Sequence, residues 1–179
     1  MKKTDQHTLY SIGHSTHPID EFLFVLKNHD ITQLIDVRTI PHSRYNPQYD
    51  QAALSQALAQ ENIVYMHMSR LGGLRKPRKE SVNQGLRNSS FRGYADYMQT
   101  IPFEEGLHEL IVAVDGKKTA MMCAEALPWR CHRSMIADAL MSKGWKVIDI
   151  MDASHQSVHA MHPVARVQDG RISYPKAIF

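Results

Sequence analysis

A chain of 179 residues with 43% hydrophobic and 22% charged residues has the balance of a folded globular protein and the length for one domain with a sizeable core. Its amino terminus, MKKTDQHTLYSIGHS, follows two lysines with polar residues, which excludes the apolar stretch of an ordinary secretory signal, and no apolar run approaches the roughly 18 residues of a membrane span. A cytoplasmic chain with no membrane partner is expected, and in such a reducing compartment two cysteines as close as Cys123 and Cys131 read as thiols or ligands rather than a structural bridge.

HTLYSIG, residues 7 to 13, reads as a strand ending at Gly13, and residues 18 to 30 follow as a helix with Phe22, Leu23, Val25 and Leu26 on its buried side. TQLIDVR, 32 to 38, is a continuous apolar strand that stops at Asp36 and Arg38. The spacing of Ala53, Leu54, Ala57 and Leu58 predicts a helix over 50 to 61 with Asp50 as its cap, and NIVYMHM, 62 to 68, is strand-like. The net charge of only +3 is unevenly placed: RLGGLRKPRKESVNQGLRNSSFR carries Arg70, Arg75, Lys76, Arg78, Lys79, Arg87 and Arg92 against the single Glu80. With its Gly72-Gly73 pair and Pro77 it reads as a long basic loop, inserted in the domain at 69–92. It is either a solvated face or a landing site for the phosphates of a nucleotide or nucleic acid. Residues 91 to 115 look largely helical, TAMMCAE is a strand, CHRSMIADALMSKG is a helix closed by Gly144, and WKVIDIM is another strand. His155, His159 and His162 fall in a loop-like stretch and read as surface or packing residues rather than ligands. The alternation of strands and helices implies a single α/β domain over 1–179, with a mostly parallel sheet, helices on both faces and Rossmann-like or rhodanese-like layering.

In open parallel sheets ligands bind beyond the carboxyl ends of the strands. Three such ends carry polar clusters: Gly13-His14-Ser15, Asp36-Val37-Arg38 with Ser43 and Arg44, and Cys123-Ala124-Glu125 through Cys131-His132-Arg133. If the strands are parallel, all three converge on one edge. Each has a structural alternative. Asp36 and Arg38, two apart, could simply pair with each other. Ser15 or Thr16 could cap the next helix, and Cys123 could be an ordinary core residue. Cys131 differs, because it stands where a helix starts, flanked by Arg130, His132 and Arg133. Helix amino termini and cations pull a thiol pKa below its free value of about 8.5. Cys123, nearer the apolar strand and Glu125, is expected to stay protonated.

The succession LYSIGHS, LIDVRTIPHSR, RLGG, FRGYADYM, MMCAEALPWRCHR and ARVQDGRISYP resembles the family catalogued as domain of unknown function 488, over residues 8 to 176. The resemblance implies no reaction. It does imply that His14, Ser15, Asp36, Arg38, Ser43, Gly72, Gly73, Cys123, Glu125, Cys131, His132 and Arg133 are positions the family's motifs retain. LIDVR, and the run of strand, cysteine, loop, Arg-Ser, helix and Gly, also look like a rhodanese domain and its anion loop, although the loop from Cys123 to Arg133 is longer.

These residues together point to a polar pocket for an anionic, phosphorylated or nucleotide-like ligand. Arg38, Arg44 and Arg133 would bind its oxygens, with Ser15, Asp36, Ser43, Gly72, Gly73 and His132 completing the ligand-binding set. Cys131 or Cys123 would be nucleophile or ligand, with His14 or Glu125 handling protons, as in a cysteine-dependent transferase or hydrolase. Three alternatives stand beside it. One is a rhodanese-like sulfurtransferase. Another is a nucleic-acid-binding module using Arg75, Lys76, Arg78 and Lys79, with Phe91, Tyr94 and Tyr97 available for stacking. The third is a zinc or iron centre built from Cys123, Glu125, Cys131 and His132 with His14, which lacks any Cys-x-x-Cys pair.

Overall fold

The computed structural model describes residues 7–177. Five apolar stretches form parallel strands: β1 (Thr8–Gly13), β2 (Gln33–Asp36), β3 (Val64–His67), β4 (Thr119–Cys123) and β5 (Lys146–Ile150). A short antiparallel β6 (Gln156–Val158) completes a six-stranded sheet of order β3-β2-β4-β1-β5-β6. The helices between them are α1 (Ile19–Asn28), α2 (Gln51–Gln60), α3 (Ser89–Tyr97), α4 (Ile101–Val114) and α5 (Arg133–Ser142). The period of 2 along a strand divides the apolar side chains between two cores. Ile12, Leu34, Ala120, Met122 and Ile150 pack on Phe22, Leu23 and Leu26 of α1 and on Leu54 and Leu58 of α2. Leu9, Ile35, Met121 and Val147 face the other way, onto α3, α4 and α5 through Tyr94, Phe103, Leu107 and Ile136. The domain is therefore a layered α/β structure with helices on both faces, as the alternation of elements predicts.

Three local features differ from the sequence reading. Asp50 occupies the cap position of α2 but makes no capping hydrogen bond. Its carboxylate instead accepts from the Ser43 N–H at 2.8 Å and pairs with His42 at 2.9 Å, holding the loop after β2. The helical stretch after residue 91 is two helices, because Thr100 accepts from the Phe103 N–H and Pro102 sits in the first turn, where its missing donor costs nothing. The basic segment 69–92 begins as a 3-10 turn, Ser69–Leu71, and its last residues already belong to α3, whose cap is Asn88. Between those points it is pinned. Asp96 of α3 accepts from the Arg78 N–H, the Ser81 hydroxyl and the Asn83 amide at 2.6 to 2.7 Å.

Beyond β5 the chain adds a hairpin, β7 (Arg166–Gln168) and β8 (Arg171–Ser173). Asp169 and Gly170 both adopt positive φ, the turn that suits the twist of two paired strands. The following Tyr174 is buried, donates its hydroxyl to Asp138 of α5, and ties its backbone to Asn83 and Gly85. Asp138 and Asp149 of β5 are bridged by His159 at 2.9 and 3.0 Å. His159 is a packing residue inside a charged cluster. Among the described residues no helix is long and apolar enough to cross a membrane.

Candidate functional site

The strand order places β1 and β4 side by side, yet the helix after β1 packs on one face and the helix after β4 on the other. That divergence opens a crevice beyond the carboxyl ends of the two strands, where ligands of open α/β sheets bind. Gly13 is paired with Cys123, and Asp36 lies level with Met122 and His67, so the three polar clusters share one edge of the sheet. The loops after β1 and β4 are stitched together by the His14 N–H on the Cys123 carbonyl and the Ser15 N–H on the Ala124 carbonyl. Any side chain at Gly13 would collide with the Glu125 backbone, which is why this crossing takes a glycine. A cavity of about 380 Å³ lies over the crossing.

One wall of the cavity is an arginine held by its own strand end. Arg38 gives Nε and Nη2 to the buried Asp36 carboxylate and Nη2 also to the Tyr49 carbonyl, while Asp36 takes the Tyr65 hydroxyl as well. The pairing expected as the structural alternative is therefore present, and one face of the guanidinium remains. Its Nη1 stands 3.4 Å from Nε2 of His14. His14 is 1% exposed, stacks on Tyr49 at 4.0 Å, and lies 2.8 Å from the Ser15 carbonyl through Nδ1. A carbonyl only accepts, so Nδ1 carries the proton and Nε2 presents a lone pair to Arg38. Burial, aided by the charges of Arg38 and Arg133, lowers the His14 pKa to about 4. This imidazole is a neutral acceptor at physiological pH.

The opposite wall holds the sulfur atoms. Cys123, at the end of β4, faces the cavity, whereas Cys131 is 4% exposed and lies behind it. Both are free thiols. Nε2 of His132 lies 2.9 Å from the Val37 carbonyl and must donate to it, which leaves Nδ1 as the atom 3.6 Å from the Cys131 sulfur. The Cys131 pKa is pulled well down by its interaction with the neighbouring Cys123 thiol, against burial, with His132 and Arg133 adding their pull. The Cys123 thiol is correspondingly pushed up by that same interaction and by burial. The two thiols are therefore pushed in opposite directions, Cys131 down and Cys123 up.

Arg133 completes this corner from behind. It is 1% exposed, donates to the Ser11 hydroxyl and the Glu125 carbonyl, and leaves Nε without a partner. Among the described residues it pairs with no carboxylate, and its charge lowers the pKa of both thiols.

Of the residues singled out in the sequence, His14, Arg38, Ser43, Gly73, Cys123 and His132 line the cavity. Asp36, Cys131 and Arg133 stand directly behind it. Gly72 packs against Thr39, and Ser15 takes a left-handed turn at φ 48° below the rim. Arg44 is exposed over the Tyr45 ring, and the exposed Glu125 carboxylate accepts from the Leu127 N–H. Thr39, Ile40, His42, Leu74 and Ala124 also line the cavity. Most stand inside the stretches RTIPHSR and GGLR, so adjacency to marked positions was the available signal. Cys123, Cys131 and His132 bring two sulfurs and Nδ1 within 4.8 Å of one another, a set that suits zinc by donor type, and neither Glu125 nor His14 belongs to it. The segment after Cys123 folds into a 3-10 turn, Pro128–Arg130, with the Arg130 and Cys131 N–H groups turned to its own carbonyls rather than around a sulfur. A wider groove of about 1010 Å³ lies at the opposite ends of the strands, by His7, Lys118 and Trp145, and contains no cysteine.

A parallel α/β domain with a thiol pair set against a buried guanidinium at the sheet's switch point is the class these features define. The model of the family described as Domain of unknown function DUF488 matches residues 18–140, more than half of the chain, and the chain belongs to that family. His14 and the C-terminal ARVQDGRISYP stretch lie outside the matched segment. Comparison with curated proteins and with solved structures gives no match.

Proposed function

We propose that the protein is a thiol-dependent enzyme acting on a small anionic substrate, phosphorylated or nucleotide-like, bound over Cys123. The observation that carries this reading is Arg133, a buried guanidinium that pairs with no carboxylate among the described residues and whose charge acts on both thiols. Burying an unpaired charge costs several kcal/mol, and a Cys131 thiolate supplies the missing anion. The same positive charge disfavours a cation at this spot, which sets thiol chemistry ahead of a metal centre. Cys123 is then the sulfur presented to substrate, Cys131 the base that takes its proton, and His132 the group that relays it. The free face of Arg38 and the Ser43 region hold the substrate's oxygens, with Arg44 at the rim. The test is the ultraviolet thiolate absorbance of the reduced protein between pH 4 and 10, with and without inorganic phosphate or a nucleoside monophosphate. One thiolate is expected well below the ordinary thiol range, lost in Cys131→Ser, with Cys123 alkylation slowed by the anion. Two thiols titrating above pH 8 would remove the reading.

A second reading has its own observation. The chain that lines the cavity as Gly73 and Leu74 continues directly into the basic segment, where Lys76, Arg78 and Lys79 are exposed and, among the described residues, in no ion pair. A longer polyanion seated in the cavity would run along it. Arg75 is placed differently: its guanidinium stacks on the Tyr97 ring at 3.7 Å and donates to the Gly72 carbonyl. Reversing Lys76, Arg78 and Lys79 to glutamate should weaken oligonucleotide binding and flatten its salt dependence. An unchanged salt series would take the loop out of the functional reading.

A further inference from the structure

We propose that Cys123 and Cys131 form a two-electron redox pair that reduces a small hydroperoxide and closes to a disulfide across the end of β4. The inference rests on the thiol reading above but not on the anionic substrate. The two sulfurs and Nδ1 of His132 lie within 4.8 Å of one another, and both thiols are free. Cys123 faces the cavity and Cys131 does not, so one sulfur meets the substrate and the other meets only its partner. The intervening segment runs over the surface, with Trp129 62% exposed, and its 3-10 turn is held by its own backbone bonds. Such a turn can yield by the small distance that a sulfur–sulfur bond requires.

The steps balance. Cys123 passes its proton to the Cys131 thiolate or to Nδ1 of His132 and attacks the distal peroxide oxygen. A sulfur–oxygen bond forms, the oxygen–oxygen bond breaks, and the alkoxide leaves with that proton as an alcohol. The charge of Arg38, which is felt at Cys123, favours both the transient thiolate and the departing oxyanion. Cys131, again a thiolate, then attacks the Cys123 sulfenic acid; a disulfide forms and hydroxide leaves, taking a proton from solvent to become water. Two thiols and one hydroperoxide become one disulfide, one alcohol and one water, and an external thiol resets the pair.

The experiment takes the whole, reduced chain and adds one equivalent of hydrogen peroxide or cumene hydroperoxide. The expected product has lost two hydrogen atoms by intact mass, and its peptide map links Cys123 to Cys131. Cys131→Ser should stop at a Cys123 sulfenic acid trapped by dimedone, and Cys123→Ser should slow peroxide consumption by about tenfold or more. The wild-type result decides the matter even where a variant fails to fold. A sulfinic acid on either cysteine with no linked peptide, or first oxidation at Cys131, would overturn the redox pair while leaving a low thiolate titration, and so the broader thiol reading, intact. Zinc retained through chelation, with neither thiol oxidisable, would overturn both.

Discussion

Arg133 does more for the site than a ligand-binding arginine would, because it holds the far side of the cysteine segment through the Glu125 carbonyl and the strand through Ser11. Replacing it with methionine keeps the apolar stem but strands two acceptors, at a cost of about 2 kcal/mol, and raises the Cys131 pKa. Denaturant unfolding together with thiolate absorbance measures both. A loss of stability with an unaltered thiolate titration would show that the guanidinium is only a strut. His159 is the second residue whose charge matters. Burial works against its protonation, but hydrogen bonds to Asp138 and Asp149 and their charges outweigh it and raise the pKa to about 9. His159→Leu leaves two buried carboxylates facing each other and should cost about 3 to 5 kcal/mol, read from the unfolding midpoint at pH 7.

At the scale of elements, the basic segment depends on α3. The Asp96 carboxylate is buried, which alone would raise its pKa, but the donors from Ser81, Arg78 and Asn83 bring it below its ordinary value. Asp96→Ala should cost about 3 kcal/mol and open the peptide bonds after Lys76, Arg78 and Lys79 to trypsin; a digestion rate equal to wild type would mean that other contacts hold the loop. Gly93 closes the same joint, because a side chain there would strike the Arg75 backbone. The strands, their order of succession and the polar clusters at their ends were legible in the sequence, since apolar runs that stop at Gly13, Asp36 and Cys123 state both where a strand lies and where it ends. The loop's anchorage was not, because Asp96 sits on a helix with a periodicity that marks it only as polar. The Asp138, Asp149, His159 and Tyr174 cluster was hidden for a related reason: its members come from a helix, a strand and the tail, and no local spacing joins them. β6, β7 and β8, largely exposed and three residues each, lack the alternation that reveals a half-buried strand. Arg133 was seen as a site residue, but a sequence does not say whether an arginine at a helix start points outward or back into the sheet.

For the whole molecule, two buried histidines shifted in opposite directions set the pH range of stability. His14 has a folded pKa of about 4 against 6.5 when unfolded, so the unfolded chain binds the extra proton in that interval and stability is lost as pH falls from 6.5 to 4. His159, at about 9 against 6.5, is protonated in the folded chain alone across that interval, so its contribution is full below pH 6.5 and is lost as pH rises to 9. Each interval is worth about 3 kcal/mol. Between pH 4 and 6.5 the slope of stability against pH should flatten in His14→Gln, and between 6.5 and 9 the loss attributable to His159 should vanish in His159→Gln, each compared with the wild type over a background in which Cys131 gains stability as pH rises. Variants whose pH profiles parallel the wild type in both intervals would contradict this.

The strand order also governs how the protein emerges from a ribosome. Among the described residues β1 pairs with β4 and β5 and with neither β2 nor β3, so β1 waits for residues 119–123 before it has its first neighbour and for 146–150 before it has both. Until then the nascent chain can assemble only the β2 and β3 ladder with α1 and α2 against it, and contacts this distant in sequence are slow to close. The crossing of Gly13 under Glu125, and with it the approach of Cys123 to the groups around it, is therefore made late, in the same event that joins the two halves of the sheet. Cys123 emerges as the end of β4 itself and Cys131 after it, so the surroundings that pull the Cys131 pKa down are assembled only as the sheet becomes whole, and the chemistry of this corner begins then.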